Sequence, residues 1–286
     1  MSKALEWYEI PARFLSEKGV IRLREPPGAD IPDLRRRLRD DEYGKPFLFD
    51  DGASRRLHFN LRYVQSQIDL QSPDRLAFAY TRKMMGFLLL LPQPRHVVIV
   101  GLGGGSLTRY CHRHLPQTQL TTLEIDEEVI AFGEWFQLPP QDSRMRIVHA
   151  DAVEWFARTQ ERADVVLIDG CDHNGTVGAL CEEAFYRNLQ SRLQRDAIVV
   201  VNLLGPATRV NELQQMLGEV FGAVMSVEVR GLGNRVVFAC NAPQQAPDWL
   251  AIRERAERLS REHELDLPAL SRQLQYSYRD RRPRQR

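Results

Sequence analysis

The sequence predicts an α/β fold: a mostly parallel sheet ending in an antiparallel hairpin, with a small N-terminal β-domain ahead of it. Three observations carry this. First, five apolar strand candidates follow one another from residue 95 (HVVIV, QLTTLEI, MRIVHA, ADVVLID and AIVVVNLL), with helical text between them. Near-continuous apolar strands separated by helices belong to a parallel sheet covered on both faces. Second, the first of these strands runs into a glycine cluster, VVIVGLGGGSLTRY, and a helix candidate starts immediately after it. Third, AVMSVEVR and NRVVFACN flank Gly231-Leu232-Gly233, the pattern of an antiparallel hairpin.

The elements follow in order. Up to about residue 70 the text is strand-like. FLFDDGASRRLHF has short apolar runs around Asp51-Gly52, a hairpin signal, and LRYVQSQIDL alternates like a further strand. DRLAFAYTRKMMGFLLLL then reads as one helix with its start near Pro73. In the alternating region SLTRYCHRHL, EEVIAFGEWF, AVEWFARTQ and ALCEEAFYRNLQSRL are the helix candidates. DWLAIRERAERLSREH is helical text near the end, and YSYRDRRPRQR is a basic tail. The expected division is residues 1–72 as the β-domain, 73–262 as the nucleoside-binding domain and 263–286 as a C-terminal extension.

The 286 residues are 43% hydrophobic and 27% charged, enough for a full globular core. A net charge of +1 gives no electrostatic case for a nucleic-acid or membrane partner. MMGFLLLLP is the most apolar run and falls well short of the ~20 residues that cross a bilayer. The four cysteines, Cys111, Cys171, Cys181 and Cys240, form no CxxC pair. Reduced thiols in a cytoplasmic protein are expected.

In an open parallel sheet, ligands lie beyond the carboxyl ends of the strands. Here the first strand end offers Gly101, Gly103, Gly104 and Gly105. The second offers Glu124 and Asp126, and a carboxylate just over twenty residues after the first glycine suits the hydroxyls of a ribose. The third offers Asp151, placed for an exocyclic amine, and the fourth offers Asp169 and Asp172. Asp126 and Asp151 also suit helix N-caps, and for Asp126 that role is the expected one. The loop has Ser106 where a dinucleotide loop has its third glycine, and it lacks the lysine of a P-loop. A nucleoside without phosphates, such as an S-adenosyl sulfonium compound, fits best.

On these residues the chain resembles the polyamine aminopropyltransferases, the spermidine and spermine synthases, over roughly residues 45–240. VVIVGLGGGSL resembles their nucleoside loop, TTLEID their ribose-binding strand end, VHADAVEW their adenine-binding segment and VVLIDGCDHNG their catalytic Asp-x-x-Asp segment. The resemblance implies a Rossmann-like class I methyltransferase fold, ribose binding by Glu124 and adenine binding by Asp151. It makes Asp169 the catalytic proton acceptor and Asp172 the holder of a substrate ammonium. YVQSQ and FAYTRKM carry over substrate contacts to Gln65 and Tyr80. It further implies a polyamine acceptor such as putrescine, an S-adenosyl co-substrate, no metal and a homodimer.

The chain also departs from the family pattern. The loop acid that holds the ammonium of the aminopropyl donor is replaced by Gly104, and the later groove-lining loop reads RGLGNR. Decarboxylated S-adenosylmethionine and S-adenosylmethionine therefore both stand as donors. A methyltransferase-like enzyme and a non-catalytic nucleoside-binding scaffold are the alternatives. Cys111-His112-Arg113-His114 has no second ligand pair, so no metal site is expected there. His173, beside Asp172, is expected either to contact substrate or assist proton transfer, or to be a loop histidine of no special role.

Overall fold

The computed structural model describes residues 5–172, 175–231, 233–241 and 246–280. The chain opens with strands β1 (Glu6–Pro11) and β2 (Val20–Glu25), helix α1 (Ile31–Arg39), then strands β3 (Phe47–Asp50), β4 (Ser54–His58) and β5 (Val64–Asp69). The five strands form one antiparallel sheet in chain order. The predicted hairpin joins β3 to β4. Gly52 takes φ +87° at its tip, and Asp51 accepts from the N–H groups of Ala53 and Ser54, an Asx turn. One face of the sheet packs Ile21, Leu23, Phe47 and Phe49 against Leu34 and Leu38 of α1. The other face turns Leu48, Leu57 and Ile68 onto Leu102, Val129, Phe132 and Phe136. The small sheet thus backs directly onto the glycine loop.

The single helix expected from Pro73 is instead two short ones, α2 (Ala79–Met84) and α3 (Phe87–Leu90). Residues before Ala79 are held off the helix by Arg82, whose Nη1 donates to the carbonyls of Leu76 and Ala77. Gly86 separates the two helices. A Cβ there would lie 2.8 Å from Leu270 Cδ2 and 2.9 Å from Phe238 Cζ, so the chain passes too close to the core for any side chain.

The second sheet contains β6 (His96–Val100), β7 (Gln119–Glu124), β8 (Met145–His149) and β9 (Ala163–Ile168), connected by α4 (Ser106–His114), α5 (Glu127–Ala131) and α6 (Ala152–Arg158). A two-residue hairpin, β10 (Cys171–Asp172) with β11 (Gly175–Thr176), and α7 (Glu183–Ser191) lead to β12 (Leu193–Leu203). Then come α8 (Ala207–Phe221), β13 (Gly222–Glu228), β14 (Arg235–Asn241), α9 (Trp249–His263), α10 (Leu267–Ser277) and β15 (Arg279–Asp280). The strand order is β15-β13-β14-β12-β9-β6-β7-β8. The strands from β8 to β12 are parallel, and β13, β14 and β15 pair antiparallel. This is the expected doubly covered sheet.

Both faces are buried, which is why the strands read as unbroken apolar runs. Val97, Ile99, Val165 and Leu167 point to α4, α9 and α10, while Val98, Val100, Val166 and Ile168 point to α6, α7 and α8. Each such buried side chain contributes about 1.5–3 kcal/mol. Three helices went unread in the sequence, the first being α1, whose Leu34 and Leu38 are buried within text read as strand-like. In α8, Val210, Leu213 and Leu217 are buried at helical spacing. In α10, Leu267, Leu270 and Leu274 join the main core, and Arg279–Asp280 beyond it adds β15 to the sheet edge. Residues 281–286 of the basic tail lie outside the described residues. Among the described residues no helix is long and apolar enough to cross a membrane.

Candidate active site

The chain leaves β6 toward β7 on one side, while β9 lies on the other, so a crevice opens where the sheet order reverses. A cavity of about 820 Å³ occupies it, at the carboxyl ends of the parallel strands. The glycine loop forms one wall. Gly101 takes φ +93°, and a Cβ there would sit 2.6 Å from the carbonyl oxygen of Asp169. Only glycine lets the turn after β6 pass so close to the end of β9. Gly101 and Gly103 line the cavity. Gly104 and Gly105, expected to meet the ligand as well, stand behind the loop: a Cβ would strike Phe136 at the first and Leu138 at the second.

Glu124 is buried at the end of β7 and faces the cavity. Leu102 N–H donates to its Oε2 at 2.8 Å and Asp126 N–H to its Oε1 at 3.0 Å. The carboxylate is thereby fixed in orientation, and each oxygen has lone-pair capacity left for a vicinal diol. Asp126 accepts from Glu128 N–H at 2.8 Å and caps α5, as expected. Asp151 stands at a helix start and beside the cavity. Its Oδ1 accepts from Val153 N–H at 2.7 Å and caps α6, and the residue lines the cavity beside Ala152 and Val153.

Asp169 directly follows β9 and lines the cavity. Its Oδ1 accepts from Asn202 Nδ2 at 2.9 Å and its Oδ2 from the Tyr80 hydroxyl at 3.2 Å. Asn202, buried at the end of β12, is itself oriented by Asn234, whose Nδ2 donates to Asn202 Oδ1 at 3.0 Å. The carboxylate is half-buried by surface but surrounded by protein. Crowding pushes its pKa up to about 6, against the two hydrogen bonds that pull it down. Sequence reasoning found Asp169 and Tyr80 but missed Asn202 and Asn234. The signal for Asn202 was a lone polar residue within the apolar run AIVVVNLL.

Gln65 of β5 and Tyr80 of α2 both reach the cavity, so the small sheet and the helix before β6 complete its wall. Asp172 pairs its backbone with Gly175. Its side chain, and His173 altogether, lie outside the described residues. The residues of Cys111-His112-Arg113-His114 part company. Cys111 is buried in the core with its thiol pushed up to about 12, His112 bonds Asp142 at 3.0 Å, and His114 packs on Tyr110. Among the described residues no three His, Cys, Asp or Glu side chains are grouped to hold a metal ion.

One feature of composition dominates the chemistry. Among the described residues the cavity is lined by Glu124, Asp126, Asp151 and Asp169 and by no Lys, Arg or His. It suits a ligand with positive charge and no anionic group.

The family model of the spermine/spermidine synthase domain matches residues 77–229, which spans every strand except β1–β5, β14 and β15. The chain belongs to the spermine/spermidine synthase family. A polyamine aminopropyltransferase of Neisseria meningitidis is 34% identical over 236 residues, covering 81% of this chain and 90% of that protein. The fold is likewise shared. A probable spermidine synthase from Corynebacterium glutamicum superposes with a TM-score of 0.63 at 18% identity, over 74% of this chain and 84% of that one. Human methyltransferase-like protein 13, solved in complex with SAH, gives 0.60 at 24% identity, over 66% and 93%. The class I methyltransferase fold expected from the sequence is therefore the fold of this spermidine synthase family member.

The Asn202 bond has a measurable consequence. Its donation to Asp169 stabilises the anion, so Asn202→Leu is expected to raise the pKa of that carboxyl above about 6. The acid limb of kcat/KM then moves to higher pH. An unmoved limb in the pH profile contradicts this.

Proposed function

We propose that the protein transfers the aminopropyl group of decarboxylated S-adenosylmethionine to an amine of a putrescine-like polyamine, releasing methylthioadenosine. The observation that carries this reading is the cavity ending on Asp169, lined among the described residues by four carboxylates and by no Lys, Arg or His. Both reactants carry positive charge, on sulfonium and ammonium groups, and among the described residues the charged side chains that line the cavity are all carboxylates. Among the described residues the carboxylate of intact S-adenosylmethionine would find no cationic side chain there. Three of the loop amides are already committed, Leu102 N–H to Glu124, Gly101 N–H to Leu123 O and Gly105 N–H to Leu102 O. The reading carries with it Asp172 as a second ammonium holder and a homodimer, both supported by the family resemblance, and a cytoplasmic location, supported by cysteines scattered without a CxxC pair.

The chemistry follows from the groups in place. Glu124 holds the ribose hydroxyls and Asp151 the adenine amine, so the sulfonium is directed toward Asp169. An alkylamine with a reference pKa near ~10.4 arrives as an ammonium and must lose a proton before it attacks. Asp169 binds that ammonium and accepts the proton. A carboxylate raised to about 6 accepts it more readily than one near 4. The amine lone pair forms the N–C bond at the carbon beside sulfur, and the C–S bond breaks with its electrons going to sulfur. The departing thioether is neutral and needs no acid. Tyr80 and Asn202 keep the Asp169 oxygens aimed into the cavity during the transfer.

Calorimetric titration with the two nucleosides tests the donor. The decarboxylated form is expected to bind at least ~10-fold more tightly than the intact form, a difference of ~1.4 kcal/mol. Tighter binding of the intact form contradicts the reading.

A further inference from the structure

The cavity reaches to both sides of β9. Glu124 and Asp151 line it from the ends of β7 and β8, on one side, while β12 and β14 lie on the other. Asn202, Gly205, Gly231, Gly233 and Asn234 carry the lining onto that second side. In-line displacement puts the attacking amine on the face of the reacting carbon opposite the sulfur. With the nucleoside on Glu124 and Asp151, the acceptor therefore lies toward β12 and β14.

The wall on this side is mostly backbone. The turn from β13 to β14 sets Gly231, Gly233 and Asn234 against the cavity, and nothing stands within 4 Å of a Cβ on either glycine. Among the described residues of this turn, Asn234 alone brings a side chain to the cavity. It is buried, and its carbonyl accepts from Val229 N–H at 2.8 Å, which closes the turn. The direction of its amide is set from Asp169. An anionic carboxylate only accepts, so Asn202 turns Nδ2 toward Asp169 and Oδ1 away. Asn202 Oδ1 then needs a donor, so Asn234 gives it Nδ2 and keeps its own Oδ1 uncommitted. Among the described residues no group donates to Asn234 Oδ1, and the atom is not sealed from solvent. An amide oxygen of a buried residue, left so at a cavity wall, calls for a donor from the ligand.

The geometry points to Asn234 as a substrate-binding residue that accepts a hydrogen bond from the second, non-reacting ammonium of a diamine. This rests on the aminopropyl-transfer reading above and deepens it. Strands in a sheet lie about 4.8 Å apart, and β12 stands between β9 and β14. Asp169 and Asn234 thus meet the two ends of the acceptor rather than one ammonium. The distal ammonium has three N–H donors, so Asn234 takes one and leaves the others for Asp172. Because the donor is charged, the bond is roughly twice as strong as one between neutral groups.

The test is steady-state kinetics with decarboxylated S-adenosylmethionine and two acceptors, putrescine and butylamine, which has the same carbon chain and one amine. The wild type is expected to prefer the diamine. Asn234→Ala is expected to lower that preference by ~10-fold through the KM of putrescine, with the KM of butylamine unchanged within ~3-fold. Where butylamine is not turned over, its Ki against putrescine replaces the KM. The variant also leaves Asn202 without its donor, but that loss acts through Asp169 on both amines and cancels in the preference. Asn234→Asp is expected to lower kcat with both amines, since it offers Asn202 Oδ1 no donor, yet to keep the wild-type preference or exceed it. Should Asn234→Ala fail to fold, Asn234→Ser takes its place. A wild type that takes both amines equally overturns the proposal, as does an Asn234→Ala protein with the wild-type preference. So does an Asn234→Asp protein that loses the preference as Asn234→Ala does. If the wild type forms no aminopropyl product with either amine, the transfer reading itself has failed, a result separate from these.

Discussion

Asp169→Asn is expected to lower kcat by about 10³-fold while nucleoside affinity stays within a few-fold, since a positioned general base contributes typically 10²–10⁴. The amide keeps the shape and can still pair with Asn202 and Tyr80, but it accepts no proton from the ammonium. With Asp169 as the proposed base, wild-type kcat/KM is expected to fall as pH drops through about 6, because the protonated carboxyl cannot accept the proton. A stability effect of opposite sign accompanies the loss. The folded-state pKa of Asp169 lies above the ordinary carboxylate value of 3.8, so the folded protein binds more protons than the unfolded chain between the two. Stability therefore falls as pH rises from about 4 to about 6 and stays lowered above that. Asp169→Asn removes this penalty. Its Tm should exceed the wild type's at pH 8, and the gap should vanish near pH 4. A variant that is inactive and also less stable at pH 8 would make Asp169 a structural residue.

Glu124→Ala is expected to weaken donor binding by about 10²-fold or more, the second large effect. Two losses combine. The ribose loses its charged acceptor, worth about 1.5–3 kcal/mol for such hydrogen bonds. The N–H groups of Leu102 and Asp126 also lose their shared partner, so the loop is no longer pinned to the end of β7. Glu124→Gln separates the two. Its single carbonyl oxygen can accept from only part of this set, and its amide cannot accept from either N–H. Titration with methylthioadenosine measures both variants. A Glu124→Ala protein that binds it as the wild type does would remove Glu124 from the ribose site.

The strand ends were legible because the sheet buries both faces. Any glycine or acid at the end of such an apolar run stands out, as Gly101, Glu124 and Asp169 do. What the sequence concealed was tertiary. Asn202 reads as one polar residue in a strand, and only the pairing of β12 with β9 puts it 2.9 Å from Asp169. Phe136 reads as core text, and its closeness to Gly104 comes from a chain segment thirty-two residues away folding behind the loop. The helix expected from Pro73 failed because Arg82 holds the carbonyls of Leu76 and Ala77, which propensity does not reveal. That failure matters for the site. The later start places Tyr80 in the first turn of α2, where its hydroxyl reaches Asp169. The α8 helix was different, since its apolar spacing was present in the text.

The most direct measurement is product analysis by mass spectrometry after incubating the protein with putrescine and each nucleoside donor in turn. Decarboxylated S-adenosylmethionine should yield methylthioadenosine and an aminopropylated diamine in equal amounts, with neither product formed by Asp169→Asn. A methylated amine and S-adenosylhomocysteine from the intact donor, with no aminopropyl product from the decarboxylated one, would contradict the account.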